Sequence, residues 1–207
     1  CFGAAKNFFT GAIKANPDMA LPTHPWIFSK NFSCLLPKNK PFTIPWHAEE
    51  GNIVHEVELG VIFNDVVGAE HWMDRVGAYV LLLDMGDMSL MKKAMGAAPA
   101  GGPWLTAKAQ DGFLVLSDLI PKEAISDPHN CELELRINGE IRQKDNTGNM
   151  LFKIDEQMEY IENETNVTLK EGDLLLSGTP EGIAPVAEGD LLEATLHSDG
   201  KLIETIS

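Results

Sequence analysis

The chain has 207 residues, 44% of them hydrophobic, which is enough to bury one sizeable core. Asp and Glu number 31 against 16 Lys and Arg, a formal net charge of −15. With no basic patch to offset it, that balance excludes nucleic acid as a natural partner. The longest apolar run, "AYVLLL" at 78–83, is far too short to span a bilayer, so no membrane role is expected.

The first 45 residues are rich in Pro, Lys and aromatics. They read as loops and short strands around one helix in "NFFTGAIKAN" (7–16). From Gly51 the pattern turns to short strands separated by turn signals, predicted at 53–63, 76–84, 131–138, 140–144, 173–177, 190–197 and 201–206. Asn138-Gly139 and Asp199-Gly200 are two-residue hairpin signals. Helices are predicted at 86–96 and at 154–164. The second sets Ile154, Met158 and Ile161 at i, i+4 and i+7, one face to lay on a sheet. The regular βαβ alternation of a dinucleotide-binding fold is missing, so the fold class is β-rich α+β. Residues 1–207 are taken as a single domain, with a divergent N-terminal region over 1–50 and a β core over 51–207. Cys1, Cys34 and Cys131 are scattered without CxxC spacing and read as reduced thiols of an intracellular protein, cytoplasmic or mitochondrial. No signal-peptide pattern follows Cys1, so any targeting peptide would lie upstream.

Four short stretches carry candidate chemistry. In "IVHEVELG" (53–60), Glu56 and Glu58 alternate on a predicted strand and therefore share a face, where like charges repel unless water or a cation neutralises them. In "YVLLLDMGD" an apolar run ends on Asp84, and strand ends are where scaffolds present reactive groups. "GPWLTAKAQDG" carries Lys108, and "LLLSGTPEGIAPV" breaks from a strand into a turn holding Gly178 and Thr179, rich in backbone N–H groups suited to a carboxylate. Three carboxylates suit a hard divalent cation such as Mg²⁺ or Mn²⁺, with Ca²⁺ as a substitute in a crystal; zinc prefers His or Cys. Each stretch also has an ordinary reading: a solvated strand face, a helix cap at Asp84, a surface lysine, a plain turn.

Together and in order, "HEVELGVI…VLLLDM…PWLTAK…INGEIRQ…VTLKEGDLLLSGTPEGIAPVAEGD" resembles the fumarylacetoacetate hydrolase family, in its compact branch of acylpyruvate hydrolases and oxaloacetate decarboxylases. The resemblance implies a mixed β-roll, a homodimer, and one Mg²⁺ or Mn²⁺ held by Glu56, Glu58 and Asp84. It places Lys108 beside the metal and Gly178 and Thr179 on the substrate carboxylate; Gln143 of "NGEIRQ" either lines the site or simply pairs across its hairpin turn. The implied activity is hydrolysis or decarboxylation of a small anionic β-keto acid, such as an acylpyruvate or oxaloacetate, through a metal-stabilised enolate.

The chain also departs from the family pattern. Gly11 and Lys14 stand where a His and a Glu form the family's acid/base dyad, Lys6 replaces an opening Arg, and Met88 and Met91 replace an Arg and a Gln. Three readings remain open. Another base such as His47 in "PWHAEEG" could serve, or the chemistry could be limited to what metal and lysine support, namely decarboxylation or keto–enol tautomerisation. The third is a pseudoenzyme that binds metal and a small dicarboxylate without turnover.

Overall fold

The computed structural model describes residues 1–10, 16, 18, 20–64, 71–95 and 104–207. Its strands, in chain order, are β1 (Phe2–Ala5), β2 (Trp26–Ser29), β3 (Leu35–Pro37), β4 (Ile53–Val54), β5 (Val57–Phe63), β6 (Val76–Asp84), β7 (Gly86–Asp87), β8 (Leu114–Leu116), β9 (Ile120–Pro121), β10 (Cys131–Ile137), β11 (Glu140–Asn146), β12 (Leu174–Leu176), β13 (Leu192–Ser198) and β14 (Lys201–Ile206). The helices among the described residues are α1 (Met88–Met95), α2 (Trp104–Lys108) and α3 (Ile154–Glu164). None is long and apolar enough to cross a membrane.

The hydrophobic pattern explains how these strands are layered. In β5 every side chain but that of Ile62 is buried, and β6 is buried without a break from Tyr79 to Asp84. Strands buried on both faces must lie inside a sheet that is covered on both sides. They do: an eight-stranded sheet runs β2-β1-β12-β5-β6-β8-β3, with β9 also paired to β6. The pairs β1/β12 and β3/β8 are parallel and the rest antiparallel, so the sheet is mixed. In β10, by contrast, Cys131, Leu133, Leu135 and Ile137 are buried while Glu132, Glu134 and Arg136 are half-exposed. That alternation marks a sheet with one wet face. The antiparallel sheet β11-β10-β13-β14 lays its apolar face on β5 and β6. The result is the β-rich α+β roll that the sequence predicts.

Both predicted hairpins form. Asn138 and Gly139 have φ of 52° and 83°, and Asp199 and Gly200 have 52° and 72°, the positive values a two-residue turn of this kind demands. Helix α3 follows its predicted span, with Ile154, Met158 and Ile161 buried.

Three expectations are corrected. The single strand predicted at 53–63 is two, because the chain changes partner between Val54 and Val57: β4 pairs with β7 and β5 with β6. The helix predicted from residue 86 begins at Met88, because Gly86 and Asp87 form β7 and the Asp87 carboxylate caps the helix through the N–H groups of Ser89 and Leu90. The helix predicted at 7–16 is not helical over its described start. There the Asn7 amide donates to Phe152 O and Ser177 O, and Phe8 bridges to Met150. Residues 11–15 lie outside the described residues, as does residue 96.

Leu81 sits mid-strand in β6 with no exposed surface. Leu81→Ala is expected to lower stability by about 2–5 kcal/mol through lost burial and the cavity left behind. Leu119→Ala, whose side chain is exposed, should stay within about 0.5 kcal/mol. Denaturant unfolding of the two variants measures the difference.

Candidate active site

Neighbouring strands deliver the acidic residues. Glu58 lies in β5, opposite Leu82 of β6, and Asp84 closes β6. Glu56 lies just before β5, where its carbonyl accepts the Asp84 N–H at 2.8 Å. Oxygens of Glu56, Glu58 and Asp84 all fall within 4.8 Å of one another. All three residues are buried, Asp84 completely. The alternation read in "HEVELG" therefore does bring two glutamates together, although Glu56 belongs to the break between strands.

Two buried lysines hold the cluster. Lys108, at the end of α2, donates to Asp84 at 2.7 Å and to Glu56 at 2.9 Å. Lys30, just beyond β2, donates to the other Asp84 oxygen and to Met85 O at 3.2 Å. Gly86 makes room for this arrangement, since a Cβ there would stand 3.3 Å from the Lys108 ammonium and 3.0 Å from the Met91 methyl. Among the described residues, the Glu58 carboxylate accepts a hydrogen bond only from the Gly178 N–H, at 2.7 Å.

The electrostatics follow from that geometry. Burial first, then the Asp84 and Glu56 charges, push the Glu58 carboxyl well above the ordinary carboxylate range. Burial also raises Glu56, opposed by Lys108. For Lys108, burial alone would lower the ammonium, but Asp84 and Glu56 outweigh it and raise it. For Lys30, burial prevails over Asp84 and lowers it. Three carboxylates against two ammoniums leave an excess of negative charge that falls on Glu58. An oxygen-only donor set with one uncompensated buried carboxylate is what a hard divalent cation fits.

A neutral network stands behind the charges. The Gln143 amide, fully buried, accepts at Oε1 from the Val57 N–H at 3.0 Å and contacts His55 Nδ1 at 2.9 Å. Its Nε2 donates to Thr179 Oγ1 at 2.8 Å and to Pro180 O at 2.7 Å. Because Oε1 already accepts from a backbone N–H, the His55 Nδ1 must carry its proton. Burial lowers the His55 pKa, and its Nε2 has no partner among the described residues.

The structure thus gathers Glu56, Glu58, Asp84, Lys108 and Gly178 at one point, with Gln143 and Thr179 behind it. The Thr179 hydroxyl donates to Val57 O at 2.9 Å and so supports β5. His47 is not brought to this point by any hydrogen bond; it is exposed, with its ring edge-on to Trp46 at 5.4 Å. Gly11 and Lys14 lie outside the described residues. Sequence reasoning overlooked Lys30 and His55. Lys30 stands in "PWIFSKNF", within the N-terminal region read as loops and short strands, whereas His55 stands inside the quoted strand and could have been suspected from its immediate neighbours.

A family model for the C-terminal domain of fumarylacetoacetate hydrolase matches residues 1–207. The chain belongs to the fumarylacetoacetate hydrolase family. Human "oxaloacetate tautomerase FAHD1, mitochondrial" is 36% identical over 181 residues, covering 86% of this chain and 79% of that protein. The fission yeast "oxaloacetate tautomerase oaa1, mitochondrial" is 39% identical over 182 residues, covering 84% of this chain and 79% of its own length. The crystal structure of 5-carboxymethyl-2-hydroxymuconate delta-isomerase from Mycobacterium smegmatis superposes with a TM-score of 0.79 at 26% identity, covering 99% of this chain and 73% of that one. With relatives of these kinds, the chain is an enzyme of this family.

Three outcomes test the site. Saturating Mg²⁺ or Mn²⁺ is expected to raise the melting temperature by mass action, worth about 2.7 kcal/mol at a hundredfold excess over Kd. Glu58→Gln keeps an acceptor for the Gly178 N–H but removes the charge; without ion it should melt no lower than the native chain, and it should lose the ion-dependent rise. Gln143→Leu strands the Val57 N–H and the Thr179 and His55 partners, and should cost about 2 kcal/mol or more in denaturant unfolding.

Proposed function

We propose that this enzyme interconverts the keto and enol forms of a small anionic β-keto acid, or decarboxylates it, at the Glu56–Glu58–Asp84 cluster. The observation that carries this reading is the convergence of three buried carboxylates within 4.8 Å of one another, two of them paired with the ammonium of Lys108. These carboxylates would hold a divalent cation, Mg²⁺ or Mn²⁺. When bound, such an ion supplies Lewis-acid stabilisation of negative charge developing on the substrate oxygens.

The protein groups have separate tasks. Lys108 donates hydrogen bonds to two carboxylates, which keeps its charge at the centre of the site and suits it to steady a developing oxyanion. Lys30 steadies Asp84 from the other side. The Gly178 N–H holds Glu58, while Gln143 and Thr179 hold the main chain of β5 beneath it. The buried setting excludes water, which strengthens each of these interactions.

Tautomerisation moves one proton from carbon to oxygen, and decarboxylation releases carbon dioxide; neither needs an activated water. Hydrolysis of an acylpyruvate does, and it calls for a base, commonly a His with a carboxylate partner. Among the described residues no such pair stands at the cluster: His47 is exposed and the His55 Nδ1 is turned to Gln143. The reading agrees with the names of the relatives, which also weigh against a pseudoenzyme. Their mitochondrial location would extend to this chain under the same proposal.

The test follows enol absorbance and pyruvate release from oxaloacetate, and pyruvate release from acetylpyruvate, with and without Mg²⁺ or Mn²⁺. Ion-dependent loss of the oxaloacetate enol, reduced about 10²–10³-fold in Lys108→Met, is the expected result. Pyruvate from acetylpyruvate would assign hydrolysis instead. Ion-dependent stabilisation with no turnover above the metal-only rate would overturn the catalytic reading.

A further inference from the structure

One face of β2 runs from solvent to the carboxylates. Trp26, Phe28 and Lys30 occupy alternate positions and share that face, while Ile27 turns the other way onto the main core. Trp26 is 40% exposed, Phe28 half-buried and Lys30 only 3% exposed. Trp104, at the start of α2, stacks on Phe28 with centroids 6.1 Å apart and planes 12° apart, and meets Trp26 edge-on at 5.9 Å. One turn further along α2, Lys108 places its ammonium 5.3 Å over the Phe28 ring while donating to Glu56 and Asp84.

Trp104 also joins this face to a second one. It packs on the small cluster of Val54, Met91 and Ala107 that Met88 and Leu90 of α1 also flank, and the Met91 methyl and the Lys108 ammonium converge over Gly86. Leading outward from the reacting centre there is therefore a wall of rings and thioethers. Lys30 and Lys108 are committed to carboxylates, and Lys6 lies at the outer end, 5.3 Å over the Trp26 ring. Between those ends the wall is aromatic, with part of the Trp26 ring exposed and the Trp104 ring half-buried beside it.

A large aromatic side chain left partly exposed is commonplace singly, but a contiguous row of them ending on a charged cluster marks a binding surface. Ring faces carry negative potential and disfavour a carboxylate lying against them, whereas an aryl or alkyl group gains both burial and stacking.

We propose that this wall receives the substituent beyond the β-keto group, and that the substituent is an aryl or extended apolar group, not the second carboxylate of oxaloacetate. The inference rests on the reading of the site as a β-keto acid enzyme and names the class of acid it takes. Trp104 is the specificity-determining residue, since it touches both sides of the wall.

The experiment compares benzoylpyruvate, acetylpyruvate and oxaloacetate on the full chain with Mg²⁺, first by calorimetric binding and then by kcat/KM. Benzoylpyruvate is expected to bind at least about tenfold more tightly than either of the others. Trp104→Ala should bring the three within about threefold, and Trp104→Phe should restore most of the preference. Trp26→Ala, altering a ring that is 40% exposed, should reduce the preference by a smaller factor and gives a second test if Trp104→Ala fails to fold. Equal affinities in the native chain, tightest binding of oxaloacetate, or a preference untouched by these substitutions would overturn the proposal. Turnover with no preference would leave the β-keto acid reading standing and remove only this inference. Ring-dependent binding without turnover of any of the three acids would do the reverse, and no binding by any of them would remove both.

Discussion

Three carboxylates confined within 4.8 Å of one another, away from water, are the constraint to which the rest of this structure answers. Left alone, each would cost several kcal/mol to bury charged. The chain meets that cost with two lysines from distant segments and one backbone N–H, and it leaves the third carboxylate short of a counter-charge. Such an imbalance has little value for stability by itself. It is an imbalance that a bound divalent cation would relieve.

The second sheet and the neutral network make that arrangement rigid. Gln143 comes from β11, in the four-stranded sheet, yet its amide holds the main chain of β5 in the eight-stranded one. One side chain therefore ties the two layers together directly behind the acidic cluster. Its hydrogen-bonding capacity is fully used, with two bonds accepted at oxygen and two donated from nitrogen. A fully satisfied buried amide specifies a single register between the sheets, because any slip would strand polar groups in the core.

Much of this could be read from the residues. Strands β6, β10 and β14 begin where the apolar pattern and turn residues place them, because each is a long run bounded by Gly, Asn or Asp. The three carboxylates and Lys108 were legible from order and spacing. What escaped has a common cause. The break after Val54 depends on which strand lies alongside, Asp87 rather than Asp84 caps α1 because two residues pair as β7 first, and Lys30 is buried only because β2 lies beside the site. Those are long-range facts, and local pattern carries no trace of them. The described part of 7–16 failed for the same reason: Asn7 is held in place by carbonyls about 145 and 170 residues away.

That anchoring also bears on the order in which the molecule can be assembled. Parallel pairing of β1 with β12 and the Glu58–Gly178 bond, which spans 120 residues, join segments made early in synthesis to segments made late. Contacts so distant along the chain must wait for large loops to close, and proteins dominated by them fold slowly. While only the first half has been synthesised, Glu56, Glu58 and Asp84 exist but the turn that receives Glu58 does not. Strands β5 and β6, both made early, bring the carboxylates together, but the turn that encloses Glu58 arrives only with the final third of the chain, so the acidic cluster is among the last features to be enclosed.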